Sequence, residues 1–204
     1  MNYLLTPPSF DDLIRLLKAW RFWMFGAILG ALIGAAVYYA VPPPFRAQAT
    51  VNVDFNLEQA WPQETDRQQF YYLERESRKL KELAWSDDVM SQLSSEFVIP
   101  VEDLRRAKLQ LSQPAEAGWH FYADDNDSQI AASLASAWAE AFVAKAQADV
   151  DSGAINEFIR LEATQSEDLP RERSISLSGY LLAGSVGFLT LAVFVALFIV
   201  PRHK

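Results

Sequence analysis

Few side chains in this sequence could do chemistry. The 204 residues include two histidines and no cysteine. His120 stands in "GWHFYA" beside Phe121, and a lone strand imidazole with no partner nearby reads as a packed or surface residue rather than a general base. His203 belongs to the basic tail "PRHK". Without cysteine there is no disulfide framework, thiolate zinc site or thiol nucleophile. "DDND" at 124–127 has oxygen ligands for a hard cation but lacks the glycine and distant bidentate glutamate of a calcium loop. Capping of the helix that follows accounts for it with fewer assumptions. The charged run "LERESRKLKE" at 73–82 reads as a solvated helix face carrying same-helix ion pairs, with an intersubunit role as the sharper alternative. No glycine-rich phosphate loop occurs. The expectation is a protein with no catalytic residue, no metal and no cofactor.

One spacing does carry a mechanism. Gly26, Gly30 and Gly34 recur every four residues, so on a helix they line one face and let another helix approach closely. The partner is either the second apolar segment of the same chain, where Gly184 and Ala192 are also small, or a neighbouring subunit. These glycines lie in an uncharged run from Phe22 to Val41, and Gly179 to Val200 is a second such run. At about 1.5 Å rise per residue each spans roughly the 30 Å of a bilayer core. A helix satisfies its own backbone hydrogen bonds, so both are expected to be transmembrane helices. A cleaved signal fits the first run less well. The run is too long for a signal's apolar region, "VPPP" stands where a cleavage site would, and Trp20, Trp23, Tyr38 and Tyr39 bracket it like interfacial belts.

Arg15, Lys18 and Arg21 precede the first run and Arg202 and Lys204 follow the second, whereas only Arg46 lies just beyond Val41. This asymmetry puts both termini in the cytoplasm. The expected organisation is a cytoplasmic amphipathic segment (1–21), a first span (22–41), an extracytoplasmic domain (42–178), a second span (179–200) and a cytoplasmic tail (201–204). The flanks sum to +3, and the remaining 13 basic and 24 acidic residues leave the middle at −11. An acidic domain repels phosphates, which excludes nucleic acid and docking on anionic lipid as its role.

Local patterns supply the elements. "SFDDLIRLLKAW" reads as an amphipathic helix capped by Ser9, with Asp12 at the capping-box position. Pro42 to Pro44 end the first span. "FRAQATVNVDF" then alternates without a break, with Phe45, Ala47, Ala49, Val51, Val53 and Phe55 on one side, which is a half-buried strand. A helix from Thr65 places Phe70, Leu73, Leu80 and Leu83 on its apolar side. Ser86 caps another, and Pro100 opens a short helix through "VEDLRRA". "KLQLS" and "GWHFYA" read as strands separated by a turn at Pro114 and Gly118. The longest soluble helix follows "DDND", with Ile130, Leu134, Trp138, Ala141 and Phe142 at helical spacing, and is expected to continue past a kink at Ser152 and Gly153 to Glu162, ending before Pro170. "RSISLS" is left open between a final strand and a linker. The fold class is therefore α+β, a membrane-proximal mixed α/β domain with its helices on one face. Its core is expected around Phe45, Val51, Val53, Trp138 and Phe142.

In this order, "DDLIRLLKAW", "PFRAQATVNVDF" and "FYADDNDSQIAASLASAWAEAFV" between two spans resemble the Wzz-type polysaccharide co-polymerases, or chain-length determinants, over nearly the whole chain. The resemblance implies a homo-oligomer in the bacterial inner (plasma) membrane, with its middle domain periplasmic or extracellular. It implies control of how long an O-antigen, capsule or exopolysaccharide grows, through contact with a polymerase or glycosyltransferase machinery and without enzymatic activity. The 137 residues between the spans are fewer than O-antigen regulators of the family carry, and only Pro170 stands where those have a proline-rich segment. The short form is closer to co-polymerases that partner a separate cytoplasmic tyrosine kinase, so an adaptor that activates such a kinase is the alternative. A two-span ligand sensor ranks below both.

Overall fold

In a computed structural model of the protein the described residues are 10–56, 66–113, 118–164 and 171–196. In chain order they form α1 (Phe10–Lys18), α2 (Trp20–Ala40), β1 (Phe45–Asp54), α3 (Asp66–Ala84), α4 (Asp87–Phe97) and the short turn α5 (Val101–Asp103), which opens into a π-helical stretch Leu104–Lys108. Then come β2 (Leu109–Ser112), β3 (Trp119–Asp125), α6 (Ser128–Asp151), β4 (Arg160–Thr164), β5 (Arg171–Arg173) and α7 (Leu177–Phe194). Ser9, Thr65, Pro114, Pro170, His203 and the 201–204 tail lie outside the described residues. The chain divides into two compact units, Pro44–Ser174 and the segments on either side of it.

The unit Pro44–Ser174 is α+β. Its sheet runs β2-β3-β1-β4, with β5 also paired to β1, and each described pairing is antiparallel. The alternation of β1 sets the layers: Ala47, Ala49 and Val51 are buried, while Arg46, Gln48 and Thr50 stay partly exposed on the other face. In register with them, β3 turns Trp119, Phe121 and Ala123 inward. α6 lies across β1 and β3, and α3 and α4 pack on α6. The sheet and the helices meet at Trp138, whose ring lies 4.8 Å from those of Phe121 and Trp85, and whose Nε1 donates to the Ala84 carbonyl at 2.9 Å. Val51, Trp138 and Phe142 are fully buried, and Phe45 and Val53 pack on the rim of the same core.

Two expectations change, and one open point closes. α6 does not run on to Glu162. Gly153 takes φ +76°, a left-handed conformation that costs glycine little, and the amides of Ala154 and Ile155 turn back onto the Asp149 carbonyl. Beyond the turn Ile159, Leu161 and Ala163 alternate with Arg160 and Glu162, so the segment is β4 and pairs Val53 with Leu161 and Val51 with Ala163. The stretch "RSISLS", left open between strand and linker, is resolved: the final strand is Arg171–Arg173, and the Ser176 side chain accepts from the Gly179 amide and starts α7. Phe70 is 64% exposed, although it shares the apolar spacing of fully buried Leu80.

In the other unit α2 and α7 are each long and apolar enough to cross a membrane. They pack against each other, and the contact runs antiparallel: Gly26 meets Ala192, Gly30 meets Gly184, and Gly34 meets Tyr180. α1 ends in a turn at Ala19, where the Trp23 indole donates to the Leu16 carbonyl at 3.2 Å.

Candidate functional site

The acidic turn "DDND" is occupied by three separate tasks. Asp124 accepts two hydrogen bonds from the Arg46 guanidinium, at 2.8 and 2.7 Å, in a bidentate pair that raises the Arg46 pKa above its ordinary value. Asp125 accepts from Lys108 Nζ and from the Asp127 amide. Asp127 caps α6 by accepting from the amides of Gln129 and Ile130. Among the described residues no group of three His, Asp or Glu side chains is gathered as a metal site.

Burial pushes the Asp125 carboxyl up, but the Asp127 amide and Lys108 pull it further down, so it titrates below an ordinary aspartate. A folded-state pKa lowered in this way contributes stability above the unfolded value and loses it as pH falls through the folded one. Asp125→Asn should cost roughly 1 kcal/mol near neutrality, and its thermal midpoint should fall less steeply than the parent's below about pH 4. Near-UV circular dichroism melts across that range check this, and parallel acid limbs would refute the linkage.

His120 is held on the open face of the sheet. Its Nδ1 lies 3.0 Å from Gln48 Nε2 and 3.1 Å from Thr50 Oγ1. Neither partner is a carboxylate that could orient an imidazole for base catalysis. In the run "LERESRKLKE", Glu74 and Arg78 pair on the surface, but Glu76 is fully buried and is held by Arg75 Nε at 2.9 Å and Lys79 Nζ at 3.1 Å. Lys79 also donates to the Ala154 carbonyl at 3.3 Å, which ties α3 to the turn after α6.

A groove of ≈620 Å³ lies between the end of β1 and the first half of α3. Asn52 and Asp54 project into it from β1, Phe70 and Glu74 from α3, and Gln113, Gly118 and Trp119 close it from the β2–β3 side. Trp119 is nearly buried and stacks on Phe142 at 5.7 Å, which fixes the floor. Gly118 sits at φ +76°, and a Cβ there would meet Asn52 Oδ1 at 2.9 Å and the Val51 carbonyl at 3.0 Å. Only glycine lets the β2–β3 connection approach β1 this closely. Asp54 is oriented by the Asn56 amide at 2.9 Å, and Asn56 Nδ2 donates to the Phe158 carbonyl.

The groove residues are scattered through the sequence, and no expectation above brings them together. The aromatic run "FYY" at 70–72 is a local signal that could have pointed there, because adjacent rings on a helix cannot all face one core. Tyr72 is buried, whereas Phe70 and Tyr71 are exposed.

The glycine face lies elsewhere, in the helix pair. A Cβ on Gly30 would fall on the Gly184 carbonyl and 2.7 Å from Phe188 Cβ, and one on Gly34 would fall on the Tyr180 carbonyl. The face is filled by the same chain's second apolar helix. No protein-family model and no curated protein matches the chain.

Proposed function

We propose that the protein is a short-form Wzz-type polysaccharide co-polymerase: a membrane-anchored, homo-oligomeric scaffold that sets the chain length of a cell-surface glycan without catalysing its synthesis. The carrying observation is how the α+β unit begins and ends. β5 pairs with the start of β1, and the Ser174 amide donates to the Pro44 carbonyl at 2.9 Å, so the unit opens and closes at one point. An apolar helix continues from each side of that point, and the two pack antiparallel.

The surface of those helices supports the membrane part of the reading. Phe25, Leu32 and Leu182 are each more than 60% exposed, which suits lipid and is costly in water. The termini are then cytoplasmic, by the bias of basic residues, and the α+β unit extracytoplasmic. The resemblance in sequence order supplies the glycan.

Deleting the gene should shift the length distribution of the surface polysaccharide on a gel, and restoring the chain should return it. An unchanged ladder and yield would sink the proposal. An unchanged ladder with reduced phosphorylation of a co-expressed tyrosine kinase would favour the adaptor instead.

A further inference from the structure

We propose that the groove between the end of β1 and α3 binds an uncharged saccharide, an inference that rests on the reading of the chain as acting on a growing glycan. The lining has the two kinds of surface a pyranose presents. Phe70 offers a flat apolar ring at the rim, 64% exposed and set edge-on by Tyr71 at 6.2 Å and 70°. The C–H face of a sugar can cover such a ring, burying apolar surface without leaving a hydroxyl unpaired. Across from it stand the amides of Asn52 and Gln113, each both donor and acceptor, and the acceptor carboxylate of Asp54, while Glu74 adds a second carboxylate one turn along α3 from Phe70. That set matches hydroxyl groups, which donate and accept at once.

Charge narrows the class. No lysine or arginine is among the described residues that line the groove, while Asp54 and Glu74 are acidic. A phosphate or uronate would meet the like charge of Asp54 and of Glu74, the latter paired with Arg78 at 4.0 Å, so the lining favours a neutral sugar. The groove's volume of ≈620 Å³ falls within the usual range for small-ligand sites. The site is also built before a ligand arrives, because the Trp119–Phe142 stack, the close approach at Gly118 and the Asn56 amide on Asp54 fix its floor.

The test uses the full chain in nanodiscs, with saturation-transfer NMR against neutral gluco-, manno- and N-acetylglucosamine hexasaccharides and an oligogalacturonate of equal length. At least one neutral hexasaccharide should bind with Kd of roughly 1 mM or tighter, and the oligogalacturonate should not bind. Phe70→Ala should weaken binding at least about tenfold with an unchanged melting profile, since the ring is exposed. Glu74→Gln should reduce the discrimination against the acidic chain. The proposal is overturned if no neutral hexasaccharide binds, if the acidic one binds more tightly, or if Phe70→Ala has no effect. Gene deletion separates this from the broader reading. A changed ladder without saccharide binding removes the groove alone. Binding that depends on Phe70 beside an unchanged ladder upholds the groove and removes chain-length control.

Discussion

A leucine at Gly30 will drive α2 and α7 apart. Even the first atom of the new side chain falls on the Gly184 carbonyl and 2.7 Å from Phe188 Cβ, and backbone cannot yield as a flexible side-chain tip can. In the membrane setting proposed above, helix association depends on close packing, because burial of apolar surface in lipid gives little driving force. Loss of that packing therefore has no hydrophobic term to offset it. The absence of cysteine makes the effect measurable without background. Gly26 and Ala192 face each other, and a Cβ on Gly26 would lie 3.0 Å from that of Ala192, close to disulfide reach after a small adjustment. A Gly26→Cys, Ala192→Cys chain should crosslink within one molecule under mild oxidation. Adding Gly30→Leu should slow that crosslink by roughly tenfold, or about 1.4 kcal/mol. Equal crosslinking rates would show that the glycine face does not hold the pair, and crosslinked dimers would show that it joins subunits.

The second large effect is in the α+β unit. Trp138→Ala should cost about 3–5 kcal/mol, a large share of the roughly 5–15 kcal/mol available to a domain of this kind. Three contributions act together. A fully buried indole is removed, leaving a cavity between Trp85 and Phe121. The sheet loses a contact with α6, which lies across its two central strands. The Ala84 carbonyl at the end of α3 loses its donor in a dry site. Trp138→Phe separates these contributions, since it keeps a ring and removes only the N–H and the second ring's volume, and it should cost roughly 1–3 kcal/mol. Near-UV circular dichroism during urea titration of the full chain reads both. A loss below about 1 kcal/mol for the alanine variant would mean that this core does not hold the helices on the sheet.

The half-buried strand at 45–54 and the helical segments were legible because their signals are local. An unbroken period of two, a run of 20 uncharged residues, and Ser86 or Asp127 ahead of an apolar stripe are each read from one contiguous segment of chain. Val51, Trp138 and Phe142 could be placed in a core for the same reason, from periodicity alone. Whatever depends on distant partners was not legible. "IRLEA" after α6 has alternation too short to outweigh the helix before it, and it becomes a strand because β1 offers Val51 and Val53 as partners more than 100 residues away. Phe70 has the spacing of a core residue, yet its helix contacts the rest of the unit further along, around Leu80 and Glu76, so its ring stays in solvent at the groove.

The glycines divide the two kinds of information most sharply. Their spacing by itself determined that one face of the first apolar helix admits close packing, since a four-residue repeat and the 3.6-residue turn are properties of the chain alone. Which helix fills that face was decided only in three dimensions, where Gly184 and Ala192 supply the complementary small surface and two backbones can touch. Close packing is a property of a pair, and one member of the pair cannot name the other.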